Sequence, residues 1–255
     1  MFGFGKKKYD VGIVLGGGGA RGFANLGVLQ ALKEEGIVPD VISSVSAGSI
    51  VGAFTAAGKT PIESFEIMKD YRFFDFSRIR FPRSGLFNLD GIRKSLEKEI
   101  PFENIEELPI PLIIASSNML EGKVEYFSQG PIAQIVQASS SIPIIFSPVE
   151  IDGKLYADGG IFDNLPLDPI YDICKKTIVV NISPVQAIDG LKNLVQAASR
   201  MFQLSVNSGR LNKRNRSSLF IEPVELRQYD ILDTKHASEI YQIGYDYVKN
   251  IDINL

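Results

Sequence analysis

Short apolar runs alternate with helical patterns along the first 60 residues. Val11 to Leu15 is an apolar run followed by glycines, which is typical of a buried strand in a parallel sheet. A leucine repeat at threefold spacing then predicts a helix that ends near Gly36. The same order repeats with a short strand at Val41-Ile42 and a helix of small residues over Ile50 to Ala57. Strand, turn and helix in succession predict a mostly parallel α/β sheet.

Strand patterns continue in the second half of the chain. Pro111 to Ala115 and Thr177 to Ile182 are predicted buried strands. Val149 to Ile151 and Leu155 to Ala157 flank Asp152-Gly153, a strong signal for a two-residue hairpin turn. No repeat, low-complexity tract or linker divides the sequence. We therefore predict a single domain over residues 1–255.

Three further segments have patterns that can be interpreted, two of them in more than one way. A long helix is predicted to pack on the sheet through one apolar face, formed by Leu191, Leu194, Val195, Ala198, Met201 and Phe202. A basic cluster follows and is either a solvated helix end or a contact for anionic lipid headgroups: Arg210, Lys213, Arg214 and Arg216. The segment from Tyr71 to Phe87 alternates aromatic residues with arginines. It is either a connection packed on the core or a lid or lipid-facing rim.

Composition and charge exclude several classes of protein. The chain has 30 acidic and 27 basic side chains, and a net charge of −3 offers no basic surface for nucleic acid. Its single cysteine, Cys174, cannot form an internal disulfide, which favours a reducing, cytoplasmic location. No apolar run reaches the ~18 to 20 residues of a membrane-spanning helix. The single histidine, His236, lies far from the other motifs, which disfavours a Ser-His-Asp triad and a histidine-rich metal site.

The four consecutive glycines from Gly16 to Gly19 indicate a loop in which the backbone itself binds something. Gly17, Gly19 and Gly22 fit the dinucleotide-binding pattern G-x-G-x-x-G between a strand and a helix. That pattern also requires an acidic residue at the end of the second strand, where this chain has Ser43-Ser44. A nucleotide-binding module therefore remains the weaker alternative.

The second strand leads into Ser44-Val45-Ser46-Ala47-Gly48, one residue short of the G-x-S-x-G nucleophile elbow. An elbow exposes its serine on a tight strand-to-helix turn, where the helix N-terminus favours a developing negative charge. Small residues are needed on both sides because strand and helix backbones approach closely. Gly48 meets this requirement and Ser44 nearly does, so Ser46 is the candidate nucleophile.

Three ordered motifs together resemble the patatin-like phospholipase family. They are the loop Gly17 to Gly22, the elbow around Ser46 and the stretch Asp158-Gly159-Gly160. Two further stretches are similar to the family: Ala138 to Pro143 and Asn164-Leu165-Pro166. The resemblance covers residues 9–184, whereas the helical C-terminal part, residues 185–255, carries no matching motif.

The resemblance implies a three-layer α/β/α sandwich that hydrolyses acyl esters of lipids without a metal or cofactor. Ser46 would be the nucleophile and Asp158 its base, with backbone N–H groups of Gly17, Gly18 and Gly19 as the oxyanion hole. Arg21 and Gly22 would orient the loop. The expected partners are a phospholipid, lysophospholipid or simple acyl ester and, peripherally, a membrane, but no nucleic acid. No motif specifies an oligomeric state.

Two positions depart from the family pattern and keep another alternative open. Ser44 stands where the family usually has glycine, and Asn25 where many bacterial members have histidine. A non-catalytic relative would bind liposomes without turnover of any acyl chain. His236 is predicted to be an ordinary surface residue, so that hydrolysis would depend on Asp158 alone as the base.

Overall fold

The computed structural model describes residues 7–70, 89–191, 194–207, 209–232, 235–253 and 255. The aromatic and arginine-rich segment at 71–87 lies outside this range. The strands are β1 (Tyr9–Leu15), β2 (Val41–Val45), β3 (Leu112–Asn118), β4 (Lys123–Phe127), β5 (Val149–Ile151), β6 (Lys154–Asp158), β7 (Cys174–Val180) and β8 (Leu219–Ile221). The helices are α1 (Phe23–Glu34), α2 (Ala47–Ala56), α3 (Pro61–Asp70), α4 (Asp90–Glu99), α5 (Ile132–Ser139), α6 (Gly160–Asp163), α7 (Asp168–Tyr171), α8 (Leu194–Ser205), α9 (Arg210–Arg216) and α10 (Ala237–Lys249).

These eight strands form one sheet with a parallel centre. Its order is β5-β6-β3-β2-β1-β7-β8, with β4 paired to β3 as well. The five strands from β3 to β8 in this order run parallel, and Ile13 of β1 pairs with Ile42 of β2 and Ile178 of β7. The strands β4, β5 and β6 are antiparallel to their neighbours. Every predicted strand is present, and the predicted mostly parallel sheet is confirmed.

Apolar side chains fill both faces of the sheet. Along β1, Ile13 and Leu15 belong to the larger core, whereas Val14 between them belongs to a smaller core. Successive strand residues point to opposite faces, so the two cores lie on opposite sides of the sheet. Helices α1, α2, α5 and α10 contribute to the larger core, and Ile170 of α7 contributes to the smaller. The three-layer α/β/α prediction is confirmed.

Helices α1 and α10 pack with unusually close backbones. A Cβ on Gly27 of α1 would lie 2.0 Å from the carbonyl oxygen of Tyr241. A Cβ on Gly244 of α10 would lie 2.2 Å from the carbonyl oxygen of Ala24. Only glycine fits at either position because the opposing atoms are backbone. This contact attaches the C-terminal helix directly to the helix that follows the glycine loop.

We expect Gly244→Ala to destabilise the protein by about 1–3 kcal/mol, the usual cost of overpacking a filled interior. Thermal unfolding measures the effect, with roughly 2–4 °C lost per kcal/mol in a chain of this size. Gly91→Ala in α4 is the matched control, since nothing lies within 4 Å of its added Cβ. There the higher helix propensity of alanine should stabilise by up to about 1 kcal/mol. Equal melting temperatures for the two variants would contradict the close packing.

The predicted inward face of the long helix is partly wrong. Among the described side chains of α8, Ala198 and Phe202 are buried, followed by Val206 just past its end. Leu194 and Met201 are exposed instead, at 75% and 69%, and the side chain of Val195 lies outside the described residues. Positions four apart share one helix face, and 198, 202 and 206 form the buried stripe. Met201 lies off this stripe, whereas Leu194 lies on it but is the first residue of the helix. The helix contacts α6 beside the sheet.

The basic cluster on α9 is largely neutralised within the protein. Lys213 forms salt bridges to Asp163 and Asp168, and Arg216 to Asp168. Arg210 pairs with the buried carboxylate of Glu222, and Arg214 lies over the ring of Phe220. These contacts support neither of the two sequence-based interpretations, because the cluster attaches α9 to α6, to α7 and to the end of the sheet at β8. Within the described ranges, no helix is both long and apolar enough to cross a membrane.

Candidate active site

The sheet brings the ends of β2 and β6 together. Strand β4 occupies one edge of β3 opposite residues 114–118. Strands β2 and β6 therefore share the other edge: β2 pairs along residues 112–115 and β6 along residues 116–118. Val45 is the last partner of β2, opposite Ala115, and Asp158 is the next partner along, opposite Ser116. Ser46 and Asp158 thus meet where one strand gives way to the other.

Ser46 occupies a strained turn between β2 and α2. Its φ of 52° and ψ of −129° are rare for a residue with a side chain. A Cβ on Gly48 would lie 2.1 Å from the carbonyl oxygen of Leu15, which explains the requirement for glycine there. Ser44 fits without crowding because it faces Gly52 of α2, and its hydroxyl donates to the carbonyl of Ile113 at 3.3 Å. The departure at Ser44 leaves the elbow geometry intact.

The hydroxyl of Ser46 donates a hydrogen bond to Asp158 Oδ2 at 2.5 Å. The other carboxylate oxygen accepts the N–H of Gly160 at 2.8 Å. Asp158 is fully buried and Ser46 is 3% exposed. Burial raises the pKa of Asp158 to about 7, against the opposing effect of these two hydrogen bonds. A carboxylate with such a pKa is a far better proton acceptor near neutral pH than an ordinary aspartate.

The backbone of Asp158 is itself held on both sides. Its N–H donates to the carbonyl of Ser141 at 2.9 Å, and its carbonyl accepts the Ser117 hydroxyl at 2.8 Å. The sequence predicts a hairpin strand that ends at Ala157, just before Asp158, whereas in the structure Asp158 is the last residue of β6. Strand pairing with β3 therefore fixes the position of Asp158.

Three backbone N–H groups of the glycine loop are unpaired within the described part of the protein. Across the described residues, the N–H groups of Gly17, Gly18 and Gly19 have no hydrogen-bond acceptor, although the loop is buried. The carbonyl of Gly17 accepts the Ser183 hydroxyl at 2.7 Å and the Asn164 side-chain amide at 3.4 Å. Since N–H and C=O of a peptide point in opposite directions, these contacts fix the direction of the Gly18 N–H. A Cβ on Gly17 would lie 2.8 Å from Ser46 Cβ, so the loop adjoins the serine.

Arg21 ties the loop to the C-terminal part of the chain. Its guanidinium donates to the carbonyl of Tyr229 from Nε at 3.0 Å and Nη2 at 2.7 Å, and to the carbonyl of Pro184 at 3.2 Å. The N–H of Ala20 donates to the carbonyl of Ile231 at 2.7 Å. Desolvation lowers the pKa of Arg21 to about 10, so it stays charged at neutral pH. Its three bonds go to backbone carbonyls, which suits loop orientation.

Asn25 and Gly22 support the same loop from α1. The side-chain amide of Asn25 donates to the carbonyl of Gly16 at 3.2 Å, so this departure from the family pattern still provides a partner for the loop. Gly22 is buried at the end of the turn that leads into α1. Sequence reasoning missed Ser183 and Tyr229 and identified Ser139 only as part of the family-like stretch Ala138 to Pro143, because their contacts with the elbow and the loop join residues more than 90 positions apart.

Other candidate chemistries find no support around Ser46. Among the described residues, no cluster of histidine, cysteine, aspartate or glutamate could hold a metal ion. His236 precedes α10 and is partly buried, with its ring 5.4 Å from that of Tyr229. Both carboxylate oxygens of Asp158 are bonded to groups other than His236. Cys174 is free and buried, as its apolar surroundings in the smaller core require.

Fold and geometry define an α/β/α protein in which a strained strand-to-helix turn presents a serine to a buried carboxylate. The family model described as patatin-like phospholipase matches residues 13–171. The chain therefore belongs to the patatin-like phospholipase family. The predicted family resemblance is confirmed.

Individual relatives extend the similarity beyond the motifs. An uncharacterized NTE family protein of Mycobacterium bovis is 33% identical over 218 residues, which cover 80% of this chain and 60% of the relative. The lysophospholipase NTE1 of Saccharomyces cerevisiae is 27% identical over 270 residues, covering 93% of this chain and 16% of that protein. The chain thus spans less than two thirds of the length of either relative. The crystal structure of VipD from Legionella pneumophila superposes with a TM-score of 0.54 at 18% identity, over 96% of this chain and 66% of that one, which shows the shared fold.

Proposed function

We propose that the protein is a serine acyl hydrolase that cleaves fatty-acyl esters of phospholipids or lysophospholipids through a Ser46–Asp158 dyad. The observation that carries this proposal is the 2.5 Å hydrogen bond from the strained serine to a carboxylate whose pKa is raised to about 7. Membership of the patatin-like phospholipase family and similarity to a lysophospholipase support lipid esters as the substrate class.

In the proposed reaction, Ser46 Oγ attacks the ester carbonyl carbon as its proton passes to Asp158 Oδ2. The carbonyl oxygen becomes an oxyanion and accepts hydrogen bonds from the unpaired N–H groups of Gly17, Gly18 and Gly19. These donors are in the loop before the reaction begins. Collapse of this intermediate breaks the ester C–O bond, and Asp158 returns the proton to the leaving alcohol. Water then repeats the sequence on the acyl-serine and releases the fatty acid. No metal or cofactor takes part in these steps.

We further propose peripheral contact with a membrane surface, since the substrate class resides there. Ile144 and Phe162, 60% and 48% exposed, lie on the two segments that flank Asp158 in the chain, and these exposed apolar side chains support the proposal of contact with acyl chains. The single free cysteine favours a cytoplasmic location. One domain over residues 1–255 is part of the same proposal, since β8 and α10 complete the sheet and the larger core.

Covalent labelling tests the proposed nucleophile. A fluorophosphonate probe should modify the wild-type protein once, at Ser46, giving one mass increment in the intact protein. Ser46→Ala should show no increment, while Ser43→Ala, which changes a nearby buried serine in β2, should still be labelled. Ser46→Ala should also lose hydrolysis of a panel of phospholipids and lysophospholipids.

Each alternative function gives a different outcome in this experiment. Liposome binding without labelling or turnover would indicate the non-catalytic relative. Protection from thermal unfolding by a dinucleotide, unaffected in Ser46→Ala, would indicate the nucleotide-binding module. A labelled residue other than Ser46 would reject the proposed dyad.

A further inference from the structure

Ser139, the last residue of α5, bridges the elbow and the central sheet. Its hydroxyl accepts the backbone N–H of Ser46 at 2.9 Å and donates to the carbonyl oxygen of Ala115 at 2.7 Å. Ser139 is fully buried, and both partners are backbone groups. Both backbone groups are shielded from water, and the one hydroxyl provides an acceptor for the Ser46 N–H and a donor for the Ala115 carbonyl.

The position of this hydroxyl follows from the pattern of the β2–β3 ladder. The N–H of Ile42 donates to the carbonyl of Pro111 at 2.9 Å, and the register continues to Val45 opposite Ala115. In a parallel ladder the donors facing one neighbour recur every second residue. Two such steps from Ile42 and Pro111 lead to the N–H of Ser46 and the carbonyl of Ala115. The Ser139 hydroxyl therefore lies between the two groups that would form the next rung.

We propose that Ser139 is a positioning residue whose hydroxyl replaces the last rung between β2 and β3 and so keeps Ser46 in its strained turn. This inference rests on the proposed function, because it assigns a role in presenting the nucleophile. A direct bond from Ser46 to Ala115 would continue the extended strand and draw the serine out of positive φ. The inserted hydroxyl pairs both groups while the chain turns toward α2.

Hydrogen bonds also hold the carbonyl side of Ser46. Its carbonyl oxygen accepts the N–H of Ser49 at 2.8 Å and the Ser49 hydroxyl at 2.6 Å. Strained conformations persist only where the surroundings over-determine them. Ser139 acts before the turn and Ser49 after it. Of the two, only Ser139 also reaches the strand that pairs with Asp158.

Replacement of Ser139 by alanine tests this role through the reactivity of Ser46. We expect Ser139→Ala to lower kcat roughly 10- to 100-fold on a soluble short-chain ester and to slow fluorophosphonate labelling by a similar factor, with KM within about twofold of wild type. A residue that only stabilised the fold would lower the melting temperature and leave the labelling rate of the folded protein unchanged.

Ser43→Ala is the matched control, because Ser43 lies on β2, is equally buried and donates to a backbone carbonyl, that of Pro166, at 2.6 Å. It should lose thermal stability without losing kcat. If Ser139→Ala does not fold, Ser139→Cys fills the same space with a group that bonds weakly, and the same loss of kcat is expected.

The outcomes separate this inference from the proposed function. If wild-type protein is not labelled at Ser46, the proposed function fails. If wild type is labelled and the Ser139 variants react at the rate of Ser43→Ala, the proposed function stands and the role of Ser139 is wrong. The proposed role of Ser139 is supported if labelling is slower in the Ser139 variants and not in Ser43→Ala.

Discussion

Asp158→Asn should abolish turnover and, above neutral pH, make the protein more stable. The amide keeps the shape of the carboxylate and can still accept the N–H of Gly160, but it cannot take the proton of Ser46. Loss of a general base costs typically 100- to 10,000-fold in rate. We therefore expect kcat on a lipid ester to fall by at least about 100-fold, while liposome binding is retained.

The expected gain in stability follows from the raised pKa of Asp158. In the folded protein burial raises the pKa of the Asp158 carboxyl to about 7, from its ordinary value of 3.8. The folded state therefore binds a proton more tightly than the unfolded state between these two values. Its contribution to stability is complete below pH 4 and is lost as the pH rises through 7. Asparagine carries no charge at any pH, so the variant avoids this penalty.

Thermal unfolding at pH 5 and pH 8 measures the difference. Each pKa unit corresponds to about 1.4 kcal/mol, so the variant should gain a few kcal/mol over wild type at pH 8 relative to pH 5. Asp152→Asn, in the exposed turn of the same hairpin, is the control and should show the same kcat and the same relative stability at both pH values. An Asp158→Asn protein that is active, or whose stability relative to wild type is independent of pH, would contradict the proposed role of the carboxylate.

Local patterns predicted the centre of this fold because its strands are buried on both faces. An apolar run such as Val11 to Leu15 has no other stable environment in a chain of this composition. Strand β4 escaped prediction since it lies at an edge, where Lys123 and Glu125 face solvent or each other. Strand β8 is apolar but has only 3 residues, too few to show a strand pattern. The wrong face of α8 has a similar cause. Its exposed leucine and methionine give an apolar pattern that does not reveal which stripe is covered.

The candidate site likewise contains residues that the sequence reveals and others that it does not. Glycines and the elbow serine are visible in sequence because close backbone approach leaves no substitute, as at Gly48. The groups that hold them are not visible, because a carbonyl such as that of Tyr229 or Ile231 belongs to any residue type. The family-like stretch Ala138 to Pro143 includes Ser139 but gives it no role, and Ser183 is an ordinary serine, until the fold places their hydroxyls against Ser46 and Gly17. The sequence motif therefore identifies the proposed reacting groups, and tertiary structure identifies what positions them.

Arg21→Ala should lower kcat roughly 100- to 1,000-fold, although Arg21 touches neither Ser46 nor Asp158 in the structure. The guanidinium is 4% exposed and joins the glycine loop to the carbonyls of Pro184 and Tyr229. Removing it leaves both carbonyls without their donor and weakens the attachment of the loop to the C-terminal part, which then depends on the hydrogen bond from Ala20 to Ile231. Displacement of the loop N–H groups should then cost about as much as losing one oxyanion donor, roughly 3–4 kcal/mol of barrier.

Kinetics on a soluble ester and fluorophosphonate labelling of folded protein measure this effect. Arg200→Ala provides the control, because Arg200 also donates to a backbone carbonyl of the C-terminal part, that of Gln186 at 2.7 Å, but does not contact the glycine loop. Its kcat should stay within about twofold of wild type. Arg21→Lys keeps the charge but cannot bind two carbonyls with one planar fork, so it should recover only part of the activity. Full activity in Arg21→Ala would mean that the contacts of Ser183 and Ala20 alone hold the loop, and that the C-terminal part serves stability rather than catalysis.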